Sequence, residues 1–574
     1  MLSGNYILVL HSHLPWVLHH GTWPHGEDWL HEAVAECYIP ILNALNELVE
    51  NKILPKITIG ITPVLCEQLA HPDFPQLFID YCTEKINLAK EDRKFYSDHN
   101  YDQHHIYLTE YWEKWYQSVL DDYQKKYKSN IIGAFKKLQD KKAIEIITCA
   151  ATHGYLPLLP TEKSINMQIK LGKENYIKHF GREPKGIWLP ECAYRPSYEW
   201  HSLLPIFPYN IPKLRPGIEQ FLANHGINYF ITDEKHISEA IPLGYYKDGN
   251  REDFKPIWVN NYNLEKTPLK IYNVSSSEKV EYGTANVFSR HRSISMQVWC
   301  GKTGYPGHPD YLDFHKKEFQ NKSRLRYWKV TDTEADMMYK QLYHPDWVDD
   351  KIDMQSNHFV HHLENSVNHF KNEKNMQATI CTPFDTELFG HWWFEGPKFI
   401  KAVLQGMSQS PWIKSATCSE QVKKMNPSEV IRMNEGSWGV NNNHDVWSNK
   451  DNIWTWEHIY NDENSLIMFF QKYPLEKLTK KAKRILEQAY RELLLEQSSD
   501  WQFLIHAQSA KDYAEMRLAN HHSDFNKLLE YADKVQNKKR LTKEEDAYLQ
   551  EVEARDSIFE EIDLSWWKEL EFNV

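Results

Sequence analysis

Seven short apolar segments, rich in β-branched residues, alternate with helical patterns and constrain the fold more than any other feature of the chain. They cover residues 6–11, 56–62, 143–150, 186–190, 228–233, 294–299 and 378–384. Runs of this length and composition are typical of buried strands. Strand–helix–strand repetition predicts parallel strands joined by right-handed crossovers. We therefore predict an α/β protein built on a seven-stranded (β/α)7 barrel. A doubly wound open sheet is the alternative, although no Gly-rich phosphate loop follows any of these strands.

Four regions make up the predicted domain organisation. Residues 1–405 form the barrel domain, with a helical subdomain inserted at 84–141. The polar segment 234–292 is long for a connection between two strands, so we expect a lid or an excursion there. No strand pattern follows residue 406, and we predict a C-terminal helical domain over 406–574. Two helical stripes support these assignments: Leu108, Tyr111, Trp112, Trp115, Tyr116, Val119, Leu120 and Tyr123, which we expect to be core, and Ala482, Ile485, Leu486, Ala489 and Leu493.

Charge and cysteine usage exclude several classes of protein. The net charge of −12 leaves no basic surplus with which to bind phosphates or an anionic membrane. The eight cysteines include no Cys-x-x-Cys pair, which favours buried thiols in a reducing compartment over disulfides or a zinc knuckle. We recognise neither a signal peptide nor an apolar run long enough to cross a membrane. We therefore expect a cytoplasmic protein that binds neither nucleic acid nor membrane.

Two acidic motifs carry the strongest functional signal. Glu191 and Asp385 each lie just after a strand-like apolar run, among aromatic residues. A Glu and an Asp at the ends of two buried strands suit nucleophilic and acid–base catalysis on a sugar. The chain has 21 Trp, 32 Tyr and 24 Phe, whose faces can stack on pyranose rings, although many must be core. The alternative is a pair of ordinary strand-end acids that are solvated or cap the next helix.

Three histidines also fall at strand ends. His11 and His13 follow the first strand with His-x-His spacing, which puts both rings on one face, and His153 follows the third. Such a group could bind sugar hydroxyls, form a proton network or, with Glu191 or Asp385, hold a metal ion. A metal-dependent, deacetylase-like hydrolase is therefore an alternative, although no His-Glu-x-x-His motif occurs. A catalytically silent glucan-binding protein is a third hypothesis.

Eleven blocks of sequence resemble glycoside hydrolase family 57 and, within it, the α-glucan branching enzymes. They are 10–15 (LHSHLP), 21–27 (GTWPHGE), 60–65 (GITPVL), 188–194 (WLPECAY), 215–218 (RPGI), 297–299 (QVW), 304–307 (GYPG), 384–397 (FDTELFGHWWFEGP), 435–439 (EGSWG), Trp447 and 498–501 (SSDW). The resemblance implies the seven-stranded barrel, the helical insertion and a C-terminal helical domain that contributes to the cleft. The acidic blocks are long enough to be specific, whereas the Gly- and Pro-containing blocks alone are weak.

The resemblance also implies roles for individual residues. Glu191 matches the nucleophile of a retaining mechanism, and Asp385 matches the general acid/base. Histidines around the sugar next to the scissile bond match His11, His13 and His153. Aromatic residues of the glucan groove match Trp23, Trp299, Trp438 and Trp447, and an acid from the helical domain matches Asp500. No metal or other cofactor is implied. In a retaining pair we expect the two carboxyls to be about 5–5.5 Å apart.

The implied activity is formation of α-1,6 branches in an α-1,4-glucan by a monomeric enzyme. The same catalytic pair would serve an α-amylase if water accepted the sugar, or a 4-α-glucanotransferase if a 4-OH did, and both remain alternatives. Two departures from the family pattern bear on this choice. Asn441, Asn442, Asn443 and His444 replace the usual glycines, and we expect the Asn residues to tolerate a left-handed turn. The 234–292 segment is longer than usual, and its lid tyrosine could be Tyr245, Tyr246, Tyr272 or Tyr282.

Overall fold

The computed structural model describes residues 2–247, 254–256, 265–276 and 284–568. Its strands are β1 (Gly4–Ser12), β2 (Ile57–Ile61), β3 (Ile144–Cys149), β4 (Gly186–Trp188), β5 (Tyr198–Trp200), β6 (Lys213–Arg215), β7 (Tyr229–Thr232), β8 (Ile241–Tyr246), β9 (Phe254–Pro256), β10 (Tyr272–Val274), β11 (Ala285–Ser289), β12 (Ala378–Asp385), β13 (Ile413–Ser415) and β14 (Glu429–Arg432). All but β5 and β6 belong to one mixed sheet. The α/β class is therefore confirmed.

The helices of the described residues are α1 (Glu27–Ala33), α2 (Ile39–Glu50), α3 (Pro63–Ala70), α4 (Phe74–Asp98), α5 (Gln103–Asp121), α6 (Ile131–Asp140), α7 (Glu162–Phe180), α8 (Ile218–Asn224), α9 (Glu234–Ser238), α10 (Arg292–Trp299), α11 (Asp349–Lys374), α12 (Gly396–Gln409), α13 (Cys418–Met425), α14 (Ile453–Lys472), α15 (Lys480–Glu496), α16 (Ser499–Ala507), α17 (Lys511–Gln536) and α18 (Lys543–Arg555). Short 3-10 and π turns, such as Val34–Tyr38 and Asp122–Lys126, extend or join them. No helix in the described part of the chain is long and apolar enough to cross a bilayer.

Seven parallel strands form the centre of the sheet in the order β12-β1-β2-β3-β4-β7-β11. Six of them coincide with predicted strands. The predicted strand at 294–299 is wrong, because those residues lie in α10 and the sixth parallel strand is β11. Polar and apolar residues alternate there as in a strand, but the buried Ile294 and Val298 are four residues apart, on one face of a helix.

The sheet extends beyond these seven strands. After β11 it continues through β10, β14, β8 and β9, partly antiparallel, and β13 pairs with β1. Much of the predicted loop at 234–292 is therefore helix and strand where the structure describes it. Two strands, β13 and β14, also follow residue 406, where no strand was predicted. Between β11 and β12 there is one isolated parallel bridge, from Arg290 to Cys381.

Helices α4, α5 and α6 fill the connection from β2 to β3, within which the helical insertion was predicted. The aromatic stripe on α5 is core, as expected: Trp112 is 1% exposed and donates its indole N–H to the Arg326 carbonyl. At the other end of the chain, α15 runs towards the carboxyl end of β3, where the Thr152 hydroxyl donates to the Leu494 carbonyl and Gly154 forms a bridge with Ser498. The C-terminal helices are thereby joined to the strand ends.

Helix α7 packs closely on β3 at Gly172. A β-carbon at this position would lie 2.2 Å from the Cys149 carbonyl oxygen, whereas one at Gly301 would meet nothing within 4 Å. Because the obstacle is backbone, we expect Gly172→Ala to lower the free energy of unfolding by about 1–3 kcal/mol. Gly301→Ala should change it by less than about 0.5 kcal/mol. Scanning calorimetry of both variants checks this, and equal melting temperatures would contradict the close packing.

Candidate active site

A cleft of about 610 Å³ opens at the carboxyl ends of the parallel strands. Nine of the ten predicted site residues line it: His11, His13, His153, Glu191, Trp299, Asp385, Trp438, Trp447 and Asp500. The tenth, Trp23, is not among the lining residues. Its ring is half exposed, and the Arg324 guanidinium lies 3.6 Å from the ring centre. The arrangement is that of other α/β enzymes, in which chemistry is placed where strands end and loops begin.

Glu191 is held in a backbone conformation that few residues adopt. Its φ and ψ angles are 59° and 24°, in the left-handed region, and Cys192 follows with a φ of 50°. For a residue with a β-carbon this costs about 1–2 kcal/mol. The Trp438 backbone N–H donates to the Glu191 carbonyl at 3.1 Å and helps to hold the turn. Strain of this kind, three residues after the end of β4, motivates the hypothesis of a functional position.

The Glu191 carboxyl receives one hydrogen bond on each oxygen. The Trp438 indole N–H donates to Oε2 at 2.9 Å, and the Ser499 hydroxyl donates to Oε1 at 3.1 Å. Burial raises the pKa of Glu191 to about 7, the Trp438 hydrogen bond opposes this rise, and the charges of Asp500 and Asp385 add to it. Glu191 is therefore a largely buried carboxyl, 13% exposed, that can be ionised near neutral pH, with both oxygens fixed in position.

A chain of hydrogen bonds connects Ser499 to two neutral histidines. The Ser499 hydroxyl lies 2.8 Å from His153 Nδ1, and His153 Nε2 lies 3.1 Å from His11 Nε2. Burial holds the pKa of both His11 and His153 well below the usual range, so both rings are neutral. Because Ser499 donates to Glu191, it accepts from His153 Nδ1–H, and His153 Nε2 then accepts from His11 Nε2–H. The chain thus has one consistent set of tautomers.

Asp385 is the last residue of β12 and pairs in register with His11 of β1. Burial raises the pKa of Asp385 to about 8, and the charge of Glu387 adds to the rise, while Arg290 opposes it. Asp385 therefore keeps its proton at neutral pH more readily than Glu191 does. Since the charge of Asp385 also acts on Glu191, the two carboxyls interact electrostatically across the cleft. Their predicted separation of about 5–5.5 Å stays a prediction.

Asp500 enters the cleft from helix α16 and forms an ion pair with His13, with 2.9 Å between Oδ2 and Nε2. Burial alone would raise the pKa of Asp500, but the charge of His13 and its hydrogen bond bring it to about 2. His13, His153 and Asp500 lie close enough together to hold a metal ion. However, the two imidazoles are stacked, with 3.8 Å between ring centres and 15° between planes. Each ring nitrogen of the two also has a hydrogen-bond partner within the protein, so an ion would have to displace existing hydrogen bonds.

Aromatic side chains form the walls of the cleft. Trp438 lies edge-on to both Trp188 and Trp299, at 5.0 and 5.8 Å between ring centres. Trp447 lines the cleft but is only 1% exposed, and it stacks on Tyr155 at 4.8 Å. By contrast, Trp392 is half exposed at the rim. The walls thus offer apolar surface beside the two carboxyls.

Several cleft residues were not predicted individually. Ser499 and Trp392 lie inside the recognised motifs. Their closeness in sequence to Asp500 and Asp385 could have identified them as site residues. Arg290 follows β11, the strand that the sequence placed wrongly, and it pairs with Asp233. Glu387, two residues after Asp385, also lines the cleft. Its carboxylate accepts from the Tyr38 hydroxyl and from the His13 backbone N–H, and burial raises its pKa to about 7.

Two departures from the family pattern are also located. Asn441 and Asn442 have φ angles of 66° and 58°, so the left-handed turn expected of these asparagines is confirmed. Of the lid tyrosines, Tyr246 and Tyr272 are buried in strands, and Tyr245 is half-buried. Tyr282 lies outside the described residues, so the choice among the four stays open.

Comparisons with known proteins agree with this geometry. Residues 7–434 match the family model of glycosyl hydrolase family 57, and residues 458–567 match the model of the 1,4-alpha-glucan branching enzyme C-terminal region. A 1,4-alpha-glucan branching enzyme of Thermococcus kodakarensis is 37% identical over 97% of this chain and 78% of its own length.

Solved structures are similar over almost the whole chain. A branching enzyme of Pyrococcus horikoshii superposes with a TM-score of 0.86 and 35% identity, covering 99% of this chain and 97% of that one. An alpha-amylase of Thermotoga maritima gives a TM-score of 0.78 and 26% identity, covering 99% and 100%. The family match spans well over half of the chain and includes both acidic motifs. The chain belongs to glycosyl hydrolase family 57.

Proposed function

We propose that the chain is a retaining 1,4-alpha-glucan branching enzyme. The observation that carries the proposal is the pair of partly buried carboxyls that line one cleft, with the pKa of Asp385 raised to about 8 and that of Glu191 to about 7. A retaining glycosidase needs this combination of an ionised nucleophile and a protonated acid. The names of the similar enzymes, and the match of the C-terminal region to a branching-enzyme model, support branching in particular.

In the first step, a Glu191 carboxylate oxygen attacks the anomeric carbon of an α-1,4-linked glucose. The C1–O4 bond breaks as the C1–O bond to Glu191 forms, and Asp385 gives its proton to the departing O4. The hydrogen bonds from Trp438 and Ser499 hold the Glu191 carboxyl in position for attack. The product is a covalent glucosyl-enzyme and a shortened chain with a new non-reducing end.

In the second step, the 6-OH of another glucan chain attacks the same carbon. Asp385, now ionised, takes the hydroxyl proton as the C1–O6 bond forms and the bond to Glu191 breaks. Two inversions retain the α configuration and give an α-1,6 branch. If water attacks instead, the enzyme acts as an α-amylase. The similarity to the alpha-amylase structure from Thermotoga maritima supports this as the alternative activity.

The other cleft residues are proposed to bind the glucan. His11, His13 and His153 with Asp500 form the polar side of the cleft, and we assign them to the hydroxyls of the sugar at the scissile bond. Trp299, Trp438 and Trp447 line the apolar side and suit the faces of neighbouring glucose rings. We propose Trp23 as a more distant glucan contact, because its half-exposed ring lies outside the cleft lining.

The architecture supports further proposals. We propose that the seven parallel strands close into a barrel through the Arg290–Cys381 bridge. The catalytic unit would include β13 and β14, with its boundary to the helical domain between residues 434 and 458, where the two family models leave a gap. Helices α4–α6 would be its inserted subdomain and 234–292 its lid. All eight cysteines are free, which supports a location in a reducing compartment such as the cytoplasm. We also propose that the enzyme is a monomer.

Incubation with amylose separates branching from its alternatives. We expect iodine absorbance to fall and isoamylase to release new chains, while reducing ends rise little, because each cleaved linkage is replaced by an α-1,6 linkage. A rise in reducing ends that matches the fall in iodine colour would indicate an amylase. Altered chain lengths without debranchable products would indicate a 4-α-glucanotransferase. Either result would overturn the proposal of branching.

Substitution of the two carboxyls tests their roles. Glu191→Gln and Asp385→Asn should each lower turnover by roughly 10³-fold or more, with glucan binding retained, because each removes a group that acts on the reacting bonds. Azide and an α-glucosyl fluoride distinguish the roles. Azide should give the β-glucosyl azide with Glu191→Gly, where it replaces the nucleophile, and the α-glucosyl azide with Asp385→Gly. The reverse outcome would exchange the two assignments.

The pH profile tests the electrostatics. Activity requires Glu191 ionised and Asp385 protonated, so kcat/KM should rise through the pKa of about 7 and fall through that of about 8. Glu387→Gln removes a charge that raises the pKa of Asp385, and the alkaline limb should move to lower pH while the acid limb stays. Glu334→Gln, at an exposed ion pair with Lys302, is the control and should leave both limbs in place. If the alkaline limb of Glu387→Gln stays where it is in the wild-type protein, the charge of Glu387 does not raise the pKa of Asp385.

A further inference from the structure

We propose that a divalent metal cation binds within the C-terminal helical domain, held by Asp462 of α14, Glu496 of α15 and His522 of α17. One ligand atom of each lies within 4.8 Å of the other two. His522 Nδ1 is 2.7 Å from Asp462 Oδ2 and 3.9 Å from Glu496 Oε1. With metal–ligand bonds of about 2.0–2.2 Å, an ion would take the place of the His522–Asp462 hydrogen bond and move these two side chains apart. This cluster takes no part in the chemistry of the cleft.

Glu496 is the residue whose charge lacks compensation. Its side chain is fully buried, and among the described residues no N–H group or hydroxyl donates to its oxygens, whose hydrogen-bonding contact is with the Asp462 carboxyl. The carboxyls of Asp462 and Glu492 lie close to that of Glu496, so three acidic groups share this part of the helical domain. Glu496 is also the last residue of α15, where the negative end of the helix dipole disfavours an anion. A cation at this point would meet all three needs, since it neutralises the carboxylates, occupies the bare oxygens and complements the dipole.

A second buried carboxyl on α15, that of Glu492, has the positively charged neighbours that Glu496 lacks. Glu492, one turn earlier on α15, is equally buried but accepts from His521 Nδ1 at 2.7 Å. The Arg517 guanidinium contacts the other nitrogen of His521, and Arg555 pairs with the nearby Asp556. This cluster therefore contains its own positive charges. Asp462 has His522 Nδ1 at one oxygen and accepts from the Asn526 amide at the other, so the demand for an additional cation is local to Glu496.

The donor set and its exposure point to the class of ion. Two carboxylates and one imidazole suit Zn²⁺ or Mn²⁺, with water completing the coordination. His522 is 30% exposed, so an ion can reach the site from solvent. The ring centre of His458, one turn before Asp462 on α14, lies 4.0 Å from that of His522. The alternative occupant is a proton shared between Asp462 and Glu496.

The position of the site gives the ion a structural role. Glu496 ends α15, and the next four residues lead to Ser499, which donates to Glu191, and Asp500, which pairs with His13. An ion that joins α14, α15 and α17 would fix the end of α15 from which these two side chains reach the cleft. Loss of the ion should therefore lower thermal stability first and activity as a consequence.

The test uses the full chain, stripped with a chelator, dialysed and loaded with Zn²⁺. After gel filtration, elemental analysis should find about one more Zn²⁺ per chain in the wild-type protein than in Glu496→Gln. Zn²⁺ should raise the melting temperature of the wild-type protein but not those of Glu496→Gln and His522→Gln. Co²⁺ should give ligand-field bands that Glu496→Gln and His522→Gln both lack. His369→Gln removes an exposed histidine paired with Glu373 and should bind as the wild-type protein does.

Other histidine clusters, such as that of His13, are unchanged in these variants and cancel in the difference. Equal Zn²⁺ content and equal Co²⁺ spectra in wild-type, Glu496→Gln and His522→Gln proteins would overturn the proposal and leave the shared proton as the explanation. Circular dichroism of each stripped variant shows whether it is folded. If Glu496→Gln fails to fold, the Zn²⁺ content and Co²⁺ spectrum of His522→Gln, which is changed at a partly exposed position, test the proposal instead.

Discussion

The buried carboxyl of Glu191 is the constraint on which the rest of the structure depends. A carboxylate removed from water is stable only when hydrogen bonds replace its hydration. Its two donors come from distant parts of the chain, Trp438 after β14 and Ser499 at the start of α16. The central sheet, its C-terminal extension and the helical domain must therefore all be in place before the carboxyl is satisfied. The fold can be read as the scaffold that brings these three together.

The same dependence accounts for the different behaviour of the two carboxyls. Glu191 has hydrogen-bond donors that favour its charged form, whereas Asp385 has Glu387 nearby, whose charge favours the protonated form. Both groups are partly shielded from water, so burial alone would not separate their pKa values. Environment rather than residue type thus gives one carboxyl the character of a nucleophile and the other that of an acid.

Local patterns in the sequence predicted many of the strands and both carboxyls of the site. The features that depend on contacts between distant parts of the chain could not be predicted. Glu191 and Asp385 were identifiable because each follows an apolar run and lies in a long motif. The strand at β11 was missed because α10, just after it, alternates polar and apolar residues as a strand does. The pairing of Ser499 with Glu191 was not predictable, because the two are 308 positions apart and nothing in either segment specifies the other. Strands β8, β9 and β10 were missed because short strands in a polar segment have little periodicity.

The distance along the chain between Glu191 and Ser499 has a consequence for biosynthesis. A ribosome makes Glu191 some 308 residues before the serine that donates to it. During that interval the central strands can assemble, but the carboxyl lacks one of its two donors and its link to the histidine chain. Catalytic competence is thus reached only after the helical domain has been translated and has docked. A nascent chain that carries both acidic motifs is therefore not yet an enzyme.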